Sequence, residues 1–156
     1  MEINRTSGTA GERAFLVSVL LDDQGSYQAD PLEELADLTE SAGATVVGRL
    51  TQRRQTPDKT TYLGSGKVGE LKLQAEAEDA DVVVFDNNLS PAQIRNLEKV
   101  LGIKVLDRTE LILDIFAGRA KTHEARLAVE LAQLEYSLPR LKRMWKRKTC
   151  NGANRF

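Results

Sequence analysis

The segment GSGK, residues 64–67, has the residue types of a phosphate-binding turn. In the phosphate loop of NTPases, G-x-x-x-x-G-K-[ST], backbone amides surround the phosphates, the lysine reaches the outer phosphates and the hydroxyl binds magnesium. When Gly66 and Lys67 are aligned with the G-K pair, Thr61 occupies the first glycine position and Val68 the hydroxyl position. The magnesium ligand is therefore missing, and no D-x-x-G or N-K-x-D segment follows. The pattern does not predict a complete P-loop NTPase.

Two interpretations of this segment remain open. In the structural one, Gly64 makes a turn, Ser65 caps the next helix and Lys67 lies in its first turn. In the functional one, amides at a helix N-terminus bind an anion or a nucleotide weakly. The candidate residues of that site are Gly64, Ser65, Gly66 and Lys67.

The charge of the chain is uneven although its net value is only −1. Residues 49–67, the first basic island, carry five basic and one acidic side chain; residues 139–156, the second basic island, carry seven basic and no acidic ones. Such asymmetry indicates a polyanionic partner, and for the first island a solvated surface explains it equally well. The candidate phosphate contacts are Arg53, Arg54, Arg140, Lys142, Arg143, Lys146, Arg147 and Lys148. Trp145 either stacks on a base or packs on an apolar face.

Composition limits the remaining possibilities. The single cysteine, Cys150, fits a reducing compartment, and neither a signal pattern nor an apolar run of about 18 residues is present, so a cytoplasmic protein without a membrane span is expected. We expect no metal site and no catalytic residues, because no cluster of ligands or nucleophile–base pair stands out. The lone histidine, His123, is read as a helix-start residue.

Apolar segments alternate with helix-start signals from residue 13 to residue 108, which predicts an α/β domain with a small parallel sheet of about four strands flanked by helices. The predicted strands are 14–21, 44–52, 81–86 and 103–107. The predicted N-caps are Asp30 with Glu33 as box partner, Ser65, Ser90 with Gln93, and Thr109; Gly43 and Gly102 end helices. Asp86 and Asp107 end two strands, where they form an acidic site or cap turns.

A helical segment, 109–148, is expected to follow, with a disordered leader at 1–12 and a tail at 149–156. Its first helix is predicted to turn Leu111, Ile112, Ile115 and Phe116 inward. Its second helix carries a heptad seam with spacings of 4, 3, 4, 3 and 4, which Pro139 kinks or interrupts. The seam residues are Leu127, Leu131, Leu134, Leu138, Leu141 and Trp145. Such a seam needs a partner helix or drives self-association.

Long motifs resemble the N-terminal region of the HflX family of translational GTPases. They are "GATVVGRLTQRRQTPDKTTYLGSGKVGEL" and "VVFDNNLSPAQIRNLEKVLGIKVLDRTELILDIFAGRAKTHEARLAVELAQLEYSLPRL". The resemblance, from about residue 16 to residue 145, implies a small α/β domain followed by half of an antiparallel helical hairpin. The family's phosphate loop lies downstream, so GSGK would belong to the N-terminal domain. The resemblance also implies that the seam's natural partner is a second hairpin helix.

The family binds the large ribosomal subunit and helps to split or rescue stalled ribosomes. The resemblance therefore implies that this chain contacts ribosomal RNA through its basic islands. After residue 145 the chain departs from the family pattern, so GTP and magnesium, the family's ligands, are not expected to bind this chain. Two alternatives remain: an ATP-type nucleotide site at residues 64–67, and a non-functional remnant.

Overall fold

A computed structural model describes residues 8–21 and 30–152, including their side chains except at positions 31 and 140–152. Its strands are β1 (Arg13–Leu21), β2 (Thr45–Arg54), β3 (Val82–Phe85) and β4 (Lys104–Leu106). Its helices are α1 (Pro31–Ser41), α2 (Ser65–Ala77), α3 (Pro91–Leu101), α4 (Arg108–Arg119) and α5 (His123–Gly152).

The strands form one parallel sheet in the order β2-β1-β3-β4, which confirms the predicted fold class. Since all four strands run the same way, their carboxyl ends meet at one side of the sheet, here called the carboxyl edge. The β1–β2 register shifts by one residue after Ala14, so that Phe15 lies opposite Gly48. A Cβ on Gly48 would come within 2.3 Å of the Phe15 ring, and the irregularity thus places a glycine where the ring needs room.

Alternate strand residues face two separate cores, because successive side chains of a strand point to opposite faces. On one face α2 and α3 cover β1, β3 and β4, with Phe15, Val17, Leu71, Phe85, Ile94 and Leu97 among the buried residues. On the other face α1 and α4 pack, with Leu16, Leu32, Leu35, Val84 and Leu111 buried. Both faces are covered, as expected for apolar strands without alternation.

The helix boundaries confirm some predicted caps and correct others. Asp30 caps α1 by accepting a hydrogen bond from the Leu32 amide rather than through a box with Glu33. Ser90 and Gln93 form the predicted capping box at α3. Gly43 and Gly102, the two predicted C-terminal helix ends, adopt left-handed φ values of 88° and 73°, as glycine allows.

Two predicted caps are wrong by one or two residues. Gly64 is the N-cap of α2, and Ser65 is the first helical residue. Asp107 is the N-cap of α4, with its carboxylate accepting from the Glu110 amide at 3.0 Å, whereas Thr109 lies inside the helix. A buried aspartate satisfies the orphan amides better than a threonine two residues later, because its oxygens reach the first free N–H groups.

The predicted leader overlaps residues 8–12, and these pack on the domain instead of being disordered. Thr9 is buried, and its amide and hydroxyl both donate to the Asp114 carboxylate of α4, at 3.1 and 2.8 Å. The Thr45 amide donates to the Glu12 carbonyl at 2.9 Å, which ties this stretch to the start of β2. Residues 1–7 lie outside the described residues.

Helix α5 carries two apolar stripes on opposite sides. The inner stripe is half-buried and consists of Ala125, Val129, Ala132 and Tyr136, spaced 4, 3 and 4. The outer stripe is the predicted seam, and its described leucines, Leu127, Leu131, Leu134 and Leu138, are 49–63% exposed. Each outer residue follows an inner one by two positions, a rotation of about 200°. The domain therefore partly buries the inner stripe and leaves the seam exposed to solvent.

Two further expectations for the helical segment are settled by the structure. Phe116 is 56% exposed, so its predicted inward position is wrong; Leu111 is fully buried and Ile115 packs partly against the α1 side core. Helix α5 runs through Pro139 as a single helix rather than restarting there. It begins at His123, as predicted, with the Thr122 hydroxyl accepting from the Ala125 amide at 3.1 Å.

Candidate functional site

The carboxyl edge of the sheet gathers polar side chains around one buried carboxylate. Asp107, at the end of β4, is fully buried and accepts hydrogen bonds from the Leu89 amide at 3.3 Å and the Glu110 amide at 3.0 Å. The Tyr136 hydroxyl of α5 also donates to it, across 29 residues of sequence. Burial raises the pKa of Tyr136, and the bond to the Asp107 carboxylate raises it further. The phenol is therefore held protonated as a donor.

Arg108, the next residue, points to two other elements. Its guanidinium donates to Asp86 at the end of β3, at 2.9 Å, and to Glu34 in the first turn of α1. The pKa of Arg108 is raised, chiefly by its hydrogen bond to Glu34. Asp86 and Asp107 thus do not form a paired-carboxylate site, because one is paired with arginine and the other caps a helix. Of the two interpretations left open by the sequence, the structural one fits these contacts.

Asn87 closes the same edge on the β1 side. Its side-chain amide accepts from the Val19 N–H at 2.8 Å and donates to the Val19 carbonyl at 3.0 Å. This two-way bond continues the β1–β3 ladder beyond the end of β3, so that backbone groups at the edge are satisfied by a side chain. Next to it, the Thr109 hydroxyl donates to Asn88 at 2.9 Å.

The loop between β2 and α2, residues 55–64, is held against the start of α3. Side-chain amides of Gln93 and Asn96 donate to the Asp58 and Thr60 carbonyls at 2.8 and 2.9 Å. The Thr61 and Thr60 amides hold the pKa of the Asp58 carboxyl below its usual value. Tyr62 adopts a φ of 66°, a strained conformation for tyrosine, and two backbone bonds to Asp58 of 3.0 Å hold it. The loop is thus built to keep one shape.

The first basic island lies on β2 and this loop. Arg53 and Lys59 are exposed, and Arg54 uses its Nε to donate to the Thr56 carbonyl at 3.0 Å. Arg49 is paired with Asp30 at 3.0 Å, on the surface. Arg53 and Arg54, the predicted RNA contacts, are the last two residues of β2, which is the outer strand on that side of the sheet, and their side chains leave the strand on opposite faces.

The GSGK turn is occupied by the protein's own groups. The Gly64 amide donates to the Gln52 side chain at 3.0 Å, and Lys67 pairs with Glu70 of the same helix at 3.0 Å. A Cβ on Gly64 would lie 2.5 Å from the Arg54 guanidinium, which shows how closely that cation approaches the turn. Gly66 has open space around its Cα. These contacts fit a helix start beside an arginine, while weak anion binding at residues 64–67 stays a prediction.

The second basic island lies on the C-terminal half of α5 as far as residue 152, where the described backbone ends. The side chains of Arg140, Lys142, Arg143, Lys146, Arg147 and Lys148, and those of Leu141 and Trp145, lie outside the described residues. Their roles in phosphate binding, stacking or the seam stay predictions. The structure does show where α5 is attached to the domain: Tyr136, which donates to Asp107, lies one helical turn before Arg140.

Sequence reasoning missed Tyr136, Asn87 and the partners of Arg108. Tyr136 could have been identified from a second 4-3-4 spacing, offset by two residues from the leucines, but the alanines in that stripe make its apolar signal weak. Asn87 and Arg108 gave no periodic signal, because their roles depend on strands distant in sequence meeting at one edge.

Among the residues that the structure describes, no three His, Cys, Asp or Glu side chains are grouped to hold a metal ion. In that same part of the chain, no helix has both the length and the apolarity needed to cross a membrane.

Comparison with known proteins is consistent with this architecture. Residues 29–117 match the family described as GTP-binding GTPase N-terminal, and residues 119–154 match GTP-binding GTPase Middle Region. GTPase HflX of Caldanaerobacter subterraneus is 48% identical over 130 residues, covering 83% of this chain and 30% of that protein. GTPase HflX of Escherichia coli is 45% identical over 136 residues, covering 87% and 32%.

A solved relative shares the fold. The crystal structure of a GTP-binding protein from Sulfolobus solfataricus in complex with GDP superposes with a TM-score of 0.62 at 27% identity, covering 87% of this chain and 40% of that one. The chain spans about a third of the length of the HflX proteins it matches. With a family match over more than half of its length, the chain belongs to the HflX GTPase family, of which it represents the N-terminal and middle regions.

Proposed function

We propose that this part of the HflX-type protein is an RNA-binding module that contacts the large ribosomal subunit, in the cytoplasm, through its two basic islands. The observation that supports it most is that both islands start from the carboxyl edge of one sheet. Arg53 and Arg54 end β2, and Tyr136 of α5, which donates to Asp107 at the end of β4, anchors the helix that continues into the second island. Three strand spacings, about 14 Å, separate β2 from β4.

The charge distribution favours binding in one orientation. Residues 1–48 carry two basic and nine acidic side chains, and the islands carry net charges of +4 and +7. A polyanion is therefore repelled by one part of the chain and attracted by the islands, which steers association. Arginine and lysine at the islands release counterions when they neutralise phosphates, so affinity falls steeply with salt.

Binding, and not GTP hydrolysis, is the role proposed for these residues. The one segment that resembles a phosphate loop has Thr61 and Val68 at two of its key positions, and the Gly64 amide and Lys67 are engaged within the protein. Nucleotide binding at this turn is the weaker candidate. If it occurs, Lys67→Ala abolishes it and leaves subunit binding intact; titration of the chain with labelled ATP checks this.

The test is co-sedimentation of the chain with large ribosomal subunits over a salt series without nucleotide. We expect binding whose logarithm falls linearly with the logarithm of salt concentration, with a slope of roughly −4 to −5 for about six neutralised phosphates. Replacing Arg140, Lys142 and Arg143 by alanine lowers both affinity and slope. The matched control replaces three exposed lysines outside the islands, Lys72, Lys99 and Lys121, by alanine. No binding at low salt, or equal losses in both variants, overturns the proposal.

A further inference from the structure

The contact between α5 and the α/β domain includes a hydrogen bond to a buried carboxylate at the last member of the inner stripe. Tyr136 belongs to the half-buried inner stripe, whose other members, Ala125, Val129 and Ala132, are small. Small apolar side chains allow the helix to slide or tilt with little loss of packing, since few atoms interlock. The Tyr136 hydroxyl donates to Asp107, and a charged acceptor makes such a bond both stronger and more directional.

The acceptor itself is rigidly placed. Asp107 is fully buried and also accepts from the amides of Leu89 and Glu110, so its carboxylate is fixed by the β3–α3 loop and by the start of α4. Arg108 adds ties from the same junction to Asp86 and Glu34. Through these bonds, the position of Tyr136 is fixed relative to β3, β4, α1 and α4.

We propose that Tyr136 is a positioning residue: through Asp107 it fixes the orientation of α5 on the domain, and so sets where the second basic island stands relative to Arg53 and Arg54. This inference rests on the proposed RNA binding for its functional meaning, but the fixed orientation of the helix is testable without any RNA. A rigid spacing between two basic surfaces is what lets both engage one RNA surface together, since the helix then does not have to be ordered on binding.

The first measurement is the distance distribution between α5 and the domain. With Cys150→Ser as background, spin labels are placed at exposed positions on α2 and α5, by Leu73→Cys and Glu130→Cys. We expect a narrow distribution in the parent chain and a broad one after Tyr136→Phe, which removes one hydroxyl and no packing. The matched control is Tyr62→Phe, which removes a hydroxyl from another partly buried tyrosine and leaves the distribution narrow.

The second measurement is co-sedimentation of the same variants with large ribosomal subunits. Tyr136→Phe weakens binding by the factor by which the fixed orientation is depopulated, on the order of tenfold. The salt slope stays unchanged, since no cation is removed. A variant that is merely less folded would also lose affinity at an unchanged slope, so circular dichroism must show that Tyr136→Phe is as folded as the parent chain.

The outcomes distinguish the two proposals. If the parent chain does not bind subunits, RNA binding fails as a function, and the distance measurement still decides the role of Tyr136. If Tyr136→Phe keeps the narrow distribution, the positioning role is overturned while RNA binding stands. If Tyr62→Phe broadens the distribution as much as Tyr136→Phe does, the effect is not specific to this contact and the proposal is likewise overturned.

Discussion

Replacing Asp107 by alanine removes the side-chain acceptor of Leu89, Glu110 and Tyr136 at the carboxyl edge at once. Loss of the α4 N-cap costs about 1 kcal/mol. The Leu89 amide, which is buried, loses its acceptor, at a cost of about 1–3 kcal/mol. The Tyr136 hydroxyl is only half-buried and can bond to water instead, so its loss adds a smaller contribution of up to about 1 kcal/mol. The sum is about 3 kcal/mol, or a fall in Tm of roughly 6–12 °C for a chain of this size.

Asp30→Ala is the matched control for this change. Asp30 caps α1 in the same chemical way, through the Leu32 amide, but its side chain is 51% exposed and supports no buried donor of a second element. Its replacement should cost about 1 kcal/mol, a Tm decrease of roughly 2–4 °C. Thermal unfolding followed by circular dichroism measures both variants. Equal decreases would refute the claim that burial, and not capping alone, makes Asp107 important.

Three further expectations follow from the same contacts. Gly48→Ala drives a methyl into the Phe15 ring and should lower the free energy of unfolding by about 1–3 kcal/mol. Gly69→Ala in α2 meets no atom within 4 Å and should raise the free energy of unfolding by up to about 1 kcal/mol. Urea unfolding measures both variants, and a change of the same sign in both would contradict the packing at Gly48. Because the pKa of Tyr136 is raised above its unfolded value of 10.0, its contribution is complete below that pH and is lost as pH rises towards the folded pKa. The stability gap between the parent chain and Tyr136→Phe should therefore be constant up to about pH 9 and narrow as the pH rises above about 10, and a gap that stays constant to about pH 11 would contradict it. Sedimentation velocity should show association of the parent chain that grows with concentration and disappears in Leu134→Glu; a parent chain that stays monomeric rules out self-association through the seam.

Local rules were enough to predict the sheet and most helix starts. The apolar strands and the Ser90–Gln93 box depend on residues within a few positions of one another, where propensity and capping act. The cap at Asp107 was misplaced because its burial depends on α5 and on the loop after β3. Phe116 was expected inside because the pattern of α4 does not show which of its faces meets α1.

The candidate site was only partly predictable. Arg53 and Arg54 were proposed as RNA contacts from charge alone, since a cluster of cations is visible in the sequence, and they stay a prediction. That they share the carboxyl edge of the sheet with the anchor of α5 follows from the parallel direction of all four strands, while the strand order places β2 and β4 on opposite sides of β1 and β3. Tyr136 was not predicted because the leucine stripe has the stronger apolar signal in the sequence, although the domain leaves that stripe exposed.

The proposed contact between the second basic island and ribosomal RNA is tested most directly by cleavage from a probe on that island. Cys150 is the only cysteine of the chain and follows Lys148 by two residues, so an iron chelate attached there needs no engineered site. With large ribosomal subunits at low salt, the account predicts hydroxyl-radical cleavage of ribosomal RNA at a few discrete positions, which weakens at high salt. Cleavage that is absent, or spread evenly along the RNA, would contradict it.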